Sequence, residues 1–160
     1  MIRTGLGYDF HRLVTGRPLM LGGIEIPSDR GEEGHSDGDA LLHAITDALL
    51  GAAALGDIGE FFPPSDPRWK GADSKKLLVA AWNRVLAAGW ELENLDCVIA
   101  LQTPKFLPWR EQVCASIAHA LGVDADRVFV KAKTGEGVGP VGTGEAIEVW
   151  ANCLITKEEE

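Results

Sequence analysis

The segment TGLGYDFHRL places Asp9 and His11 two positions apart, with Tyr8 and Phe10 interleaved. In an extended chain alternate side chains share a face, so the carboxylate and the imidazole point one way and the two rings the other. An oxygen and a nitrogen donor side by side are part of a metal site, although such a pair alone serves equally as a hydrogen-bonded strand end. A third donor is His43, on a stretch with helical periodicity, with Asp39 and Asp47 one turn away on either side. One of these carboxylates is expected to orient the ring and leave its other nitrogen for a metal. Together Asp9, His11 and His43 make an Asp/His/His set of the kind that holds zinc or a similar divalent ion and keeps a coordination position open for a ligand. Just upstream, GHSDGD carries His35 and Ser36 on a glycine-flanked loop before the helix N-terminus. Backbone N–H groups favour an anion there and the two side chains add donors, with simple capping as the plain alternative.

The elements that must position these residues follow from pattern. A strand is expected at about residues 2–8, then a hairpin or bulge at Gly22-Gly23, then a polar loop, SDRGEEGHSDGD. A helix from about Asp39 to Leu55 carries Leu42, Ile45 and Leu49 on an apolar stripe, with Asp37 or Asp39 as its cap and Gly56 as its stop. The next 17 residues, DIGEFFPPSDPRWKGAD, contain three prolines and read as a functional loop. Asp73 caps a second helix at about 74–88, ended by Gly89. A strand at about 95–101 leads through QTPKFLP into a third helix at about 108–121, with Pro108 in its first turn and Gly122 past its end. Strands at about 127–134 and 146–156 finish the chain, and GEGVGPVGTGE between them reads as tight turns. The terminal KEEE reads as a solvated tail.

Strands separated by helices, with a last pair able to lie adjacent, predict an α+β fold: a two-layer α/β sandwich with one mixed sheet and helices on one face. In IEVWANCLI both alternating sets of side chains are substantially apolar, so the face without helices is expected to pack against other copies in a homo-oligomer.

Composition sets limits. A chain of 160 residues, 46% hydrophobic and 24% charged, is expected to form one catalytic domain over residues 1–160. No run approaches the roughly 20 apolar residues that span a bilayer, and MIRTGLGYDF has no leader pattern, so a cytoplasmic protein without a membrane partner is expected. The net charge of −9 argues against a nucleic-acid partner, which needs a basic face. A small phosphorylated ligand remains compatible, given metal ions and backbone N–H groups. Cys97, Cys114 and Cys153 stand singly in apolar segments and read as reduced core residues.

The blocks GYDFH, HSDGDALLHAITDALLGAAALGDIG, FFPPSDPRWKGADS, QTPKFLP and VKAKTGEGVG, in this order from residue 1 to about 156, resemble the 2-C-methyl-D-erythritol 2,4-cyclodiphosphate synthase family of the non-mevalonate isoprenoid pathway. The resemblance implies that Asp9, His11 and His43 bind a divalent metal, zinc or manganese, and that Asp9 and His11 also border the substrate. His35 and Ser36 are implied to contact substrate, with His35 stabilising the transition state. Asp57, Ile58 and Gly59 match positions that hold sugar hydroxyls. Phe62, Pro63, Pro64, Ser65 and Asp66 match the methylerythritol phosphate side. The turn Leu101, Gln102, Thr103, Pro104, Lys105, Phe106 and Leu107 resembles the cytosine pocket. In the KTGE stretch, Lys133, Thr134, Gly135 and Glu136 match substrate-binding positions. Thr134 is implied as the second transition-state stabiliser, and Glu136 as a ligand of a magnesium or manganese ion bridging the diphosphate. Members are homotrimers with active sites between subunits. Some carry phenylalanine and arginine in a G-F-T-G-x-G pattern and bind an isoprenoid diphosphate in the trimer cavity; Pro140 and Thr143 stand in the aligned stretch here, which argues against tight binding of such a ligand.

The implied reaction is ring closure of 4-diphosphocytidyl-2-C-methyl-D-erythritol 2-phosphate with loss of CMP. The substrate supplies its own nucleophile, so the demands on the protein are alignment and charge neutralisation. A metal-dependent hydrolase of nucleoside diphosphate compounds would use the same ligands but activate water, and a non-catalytic cytidine nucleotide-binding module would keep only the QTPKFLP pocket.

Overall fold

Strand β1 runs from Ile2 to Thr15 in the computed structural model of the chain, which describes residues 1–159. It is longer than the expected 2–8, because antiparallel pairing continues through Asp9↔Val149 and His11↔Ile147 to Arg12↔Ala146. Both candidate ligands of the first segment therefore sit inside a strand. The turn at Gly22-Gly23 joins β2 (Leu19–Leu21) to β3 (Ile24–Ile26). Its two glycines adopt φ of 66° and 80°, the left-handed pair that a two-residue hairpin requires. Part of the polar stretch read as loop forms β4 (Arg30–Glu32), which pairs with the end of β1. The alternation signal is absent there because both Gly31 and Glu32 are buried.

Helix α1 (Ala40–Ala52) is capped by Asp39, whose carboxylate accepts the Leu42 N–H. It stops short of Leu55, as Ala54 turns to φ 58°. The long proline-bearing segment is partly structured, with α2 (Ile58–Phe61) and a 3-10 turn at Pro67–Trp69. Helix α3 (Ser74–Ala87) has the expected Asp73 cap. β5 (Glu91–Ala100) begins earlier than expected, and Pro108 lies in a 3-10 turn, Leu107–Trp109, ahead of α4 (Arg110–Leu121). After β6 (Val128–Lys133), the glycine-rich stretch winds into the short α5 (Gly139–Gly142) before β7 (Ala146–Thr156).

The five-stranded sheet has the order β4-β1-β7-β5-β6, and β5 and β6 are parallel while the other pairs are antiparallel. The last two strands are thus not neighbours: β5 lies between them. Helices α1 and α4 pack on one face of the sheet and α3 packs against both of them, as the two-layer reading requires. Ile147, Val149, Ala151, Cys153 and Ile155 of β7 are fully buried on that side. The other face leaves Ile2, Leu6, Tyr8, Phe10, Phe129 and Trp150 exposed. Glu160, part of the tail read as solvated, lies outside the described residues, and Lys157, Glu158 and Glu159 are exposed. Cys97, Cys114 and Cys153 are free and buried.

Candidate active site

Two glycines bring the site together. Gly5 and Gly7 share the β1 face of Asp9 and His11, and a Cβ on them would lie 1.9 Å from the Ala48 carbonyl oxygen and 1.8 Å from that of Ala44. Helix α1 therefore lies directly on the strand backbone, which carries His43 to the two strand ligands. The Asp9 Oδ2 atom is 2.8 Å from His11 Nε2 and 3.1 Å from His43 Nδ1, and the two ring nitrogens are 3.4 Å apart. Ligand atoms of Asp9, His11 and His43 all fall within 4.8 Å of one another, and all three residues are half-buried.

The far side of each ring is already engaged. His11 Nδ1 is 2.7 Å from the Glu33 carbonyl, which only accepts, so this nitrogen holds the proton. The carbonyl fixes the ring with Nε2 toward Asp9. Burial raises the Asp9 carboxyl, but hydrogen bonds to His11 and His43 outweigh it and hold the group below its ordinary range. Burial likewise works against charge on His11, and Asp9 overcomes it and raises the imidazole. The donor set fits a divalent ion, since two imidazole nitrogens and a carboxylate oxygen converge and the outer nitrogens are held by second partners.

The carboxylates expected to orient His43 are occupied elsewhere. Asp39 is fully buried and accepts the N–H groups of Gly22 and Gly23 from the β2–β3 turn, while Asp47 accepts the Ile58 N–H at 2.7 Å. The residues beside His43 Nε2 are instead Ser74 Oγ at 2.8 Å and Ser36 Oγ at 3.2 Å. Ser74 was not singled out from sequence, because its contact with His43 bridges elements far apart in the chain. The one local signal is its place directly after the Asp73 cap of α3.

Asp9, His11, His35, Ser36, His43, Ile58, Gly59, Phe62 and Pro64 line one pocket, together with Trp69 and Leu77. Trp69 was not anticipated; it stands edge-on to Phe62 at 5.0 Å, and its buried indole N–H has no partner among the described residues. Asp57 caps α2 by accepting the Glu60 N–H, and Asp66 caps the 3-10 turn and pairs with Arg68. Asp57, Pro63, Ser65 and Asp66 flank this pocket in sequence without lining it.

A second pocket is lined by Leu101, Gln102, Pro104, Lys105, Phe106 and Leu107 with Lys133 and Thr134. Thr103 belongs to the same turn, through a cis bond to Pro104. Gln102 accepts the Gly135 N–H at 3.1 Å, which ties the turn to the KTGE stretch. Glu136 is exposed, at φ 53°, with its N–H on Thr134 Oγ1. The two pockets share no residue within one chain.

The YgbB family pattern matches residues 2–156. The chain belongs to the YgbB family. A Treponema denticola 2-C-methyl-D-erythritol 2,4-cyclodiphosphate synthase is 58% identical over 154 residues, 96% of each chain. Among solved structures, the bifunctional IspDF of Campylobacter jejuni superposes with a TM-score of 0.95 at 41% identity; the match covers 99% of this chain and 43% of that longer one. A 2C-methyl-D-erythritol-2,4-cyclodiphosphate synthase in a CDP-bound form superposes at 0.89 with 42% identity, over 96% of this chain and all of the other. This YgbB member is an enzyme of the cyclising lyase type. Among the described residues no helix is long and apolar enough to cross a membrane.

Proposed function

We propose that the chain converts 4-diphosphocytidyl-2-C-methyl-D-erythritol 2-phosphate to 2-C-methyl-D-erythritol 2,4-cyclodiphosphate and CMP. An oxygen of the 2-phosphate forms a bond to the β-phosphorus, and the bond from that phosphorus to the bridging oxygen breaks with its electron pair leaving on CMP. The observation that carries this reading is the convergence of Asp9, His11 and His43 beside the His35–Ser36 loop, in a chain of this family. Zinc or manganese at Asp9, His11 and His43 would polarise the β-phosphate, and magnesium or manganese at Glu136 would neutralise the diphosphate.

The protein's own groups do the rest. His35 and Thr134 donate hydrogen bonds to the oxygens that gain charge. Asp57, Ile58 and Gly59 hold the sugar hydroxyls, Phe62 to Asp66 enclose the methylerythritol phosphate, and Leu101 to Leu107 read cytosine largely through backbone groups. The family resemblance implies a homotrimer with active sites between subunits; two pockets that share no residue in one chain and an exposed apolar sheet face support this reading, in which the substrate spans two protomers. The buried free thiols suit a reducing cytoplasm.

Phosphorus NMR of the protein with substrate and divalent metal tests the reaction. Cyclic diphosphate appearing in step with CMP is the expected outcome. CMP with a linear bisphosphate would make water the nucleophile and the enzyme a hydrolase.

A further inference from the structure

We infer that Ser74, held by Asp37, is the positioning residue that presents His43 Nδ1 to the metal. The inference rests on the reading of Asp9, His11 and His43 as a metal site and adds to it two residues from outside the ligand set.

Ser74 is 1% exposed and is the first residue of α3. Its hydroxyl has one proton and three polar neighbours, His43 Nε2 at 2.8 Å, Asp37 Oδ1 and, farther off, Ser36 Oγ at 3.5 Å. The Asp37 side chain acts as an acceptor here, taking the Ser74 hydroxyl through Oδ1 and the Ser74 backbone N–H at 3.0 Å through Oδ2. The Ser74 proton therefore goes to Asp37, and the Ser74 oxygen is left to accept from His43. That requires the proton of His43 to be on Nε2, which leaves a lone pair on Nδ1, the nitrogen facing Asp9 and His11. Ser36 Oγ lies farther from Nε2, at 3.2 Å against 2.8 Å for Ser74 Oγ, so it is the weaker partner. Asp37 is itself fixed, because its N–H donates to the Ala72 carbonyl and its Oδ1 accepts the Asp39 N–H. A rigid chain thus runs from the loop before α1, through the first residue of α3, to the ligand on α1. His11 obtains the same service from the Glu33 carbonyl. Partners of this kind set metal affinity by about 10- to 100-fold.

The decisive experiment compares wild type, Ser74→Ala and Asp37→Asn by zinc competition against a chelator, and by nitrogen-15 NMR of histidine in the zinc-loaded proteins. Ser74→Ala removes the acceptor. Asp37→Asn takes one acceptor oxygen from the three donors that Asp37 holds, the Ser74 hydroxyl, the Ser74 N–H and the Asp39 N–H, and so loosens the hold on Ser74 beside His43 Nε2. The expected result is a loss of zinc affinity of about tenfold or more in each variant, and a protected Nε2–H signal of His43 in wild type that Ser74→Ala loses. Thermal melts of the metal-free proteins identify a variant that fails to fold, and the other then decides. Wild-type zinc affinity and an unchanged Nε2–H signal in a folded variant would overturn the inference while leaving the metal site standing. Failure of the wild type to bind zinc would instead overturn the metal reading and the inference with it.

Discussion

His43 and its partners show which parts of a site a sequence exposes. Asp9 and His11 were legible because strand alternation is a local rule, and it placed Tyr8 and Phe10 on the opposite, exposed face as expected. The third candidate ligand was legible as a residue type, but its orientation was not: Asp39 and Asp47 are one helical turn away, yet backbone N–H groups of other elements claim both carboxylates. Spacing along a helix gives neighbours, and only the packed fold says which hydrogen bonds they make. At this scale His43→Ala is expected to abolish stoichiometric zinc binding and lower turnover by at least about 100-fold, a loss of roughly 3 kcal/mol of transition-state stabilisation. Metal analysis after dialysis, with steady-state kinetics at saturating metal, checks both. Unchanged turnover would remove His43 from the site.

Elements decide how closely the ligands can meet. The β1–α1 contact depends on Gly5 and Gly7, which the sequence displayed in GLGYD without indicating what approached them. Gly7→Ala is expected to destabilise the fold by about 2 kcal/mol or more, because the obstructing atom is a helix carbonyl rather than a flexible side chain. Urea unfolding measures this, and zinc affinity should fall as well, since Ala44 adjoins His43. A second device lies where β4 meets the start of α1. Glu32 is fully buried; its Oε2 accepts the Met20 N–H, and its Oε1 has no partner among the described residues. Burial, then the nearby Asp39 carboxylate, raises its pKa from 4.5 to about 9. The native state therefore keeps this proton across a range in which the unfolded chain has released it. Stability contributed by the neutral acid is complete below the unfolded value of 4.5 and declines as pH rises toward about 9. Glu32→Gln is expected to flatten that decline, so that its unfolding midpoint gains on wild type steadily from pH 5 to pH 9. Parallel pH profiles for the two proteins would show that Glu32 does not titrate this way.

For the whole molecule, the two-layer architecture and its bare second face were readable from β7, whose two alternating sets are both apolar in the sequence. Strand order was not readable, because insertion of β5 between β6 and β7 is a matter of crossover topology rather than of local pattern. The bare face carries Leu6 at 69% exposure and Phe10 at 46%, with the rings of Tyr8 and Trp150 in tilted contact, centroids 5.5 Å apart. An exposed apolar row of this kind is what a symmetric assembly would bury, which is the proposed homotrimer's central face. The triad lies within one chain, on the helix-covered face of β1, whereas the Leu101–Leu107 pocket of the same chain shares no residue with it. Metal binding should then survive dissociation, and turnover should not. Leu6→Lys combined with Trp150→Lys is expected to shift the protein from three times the chain mass to one in sedimentation or light scattering. Zinc affinity should stay within about threefold, as expected for substitutions remote from the ligands, and cyclisation should fall by at least about 100-fold, the scale of a misplaced reacting group. A monomeric variant that still cyclises would show that one chain holds both halves of the substrate. A variant that loses zinc together with assembly would show that the triad itself depends on the neighbouring protomer.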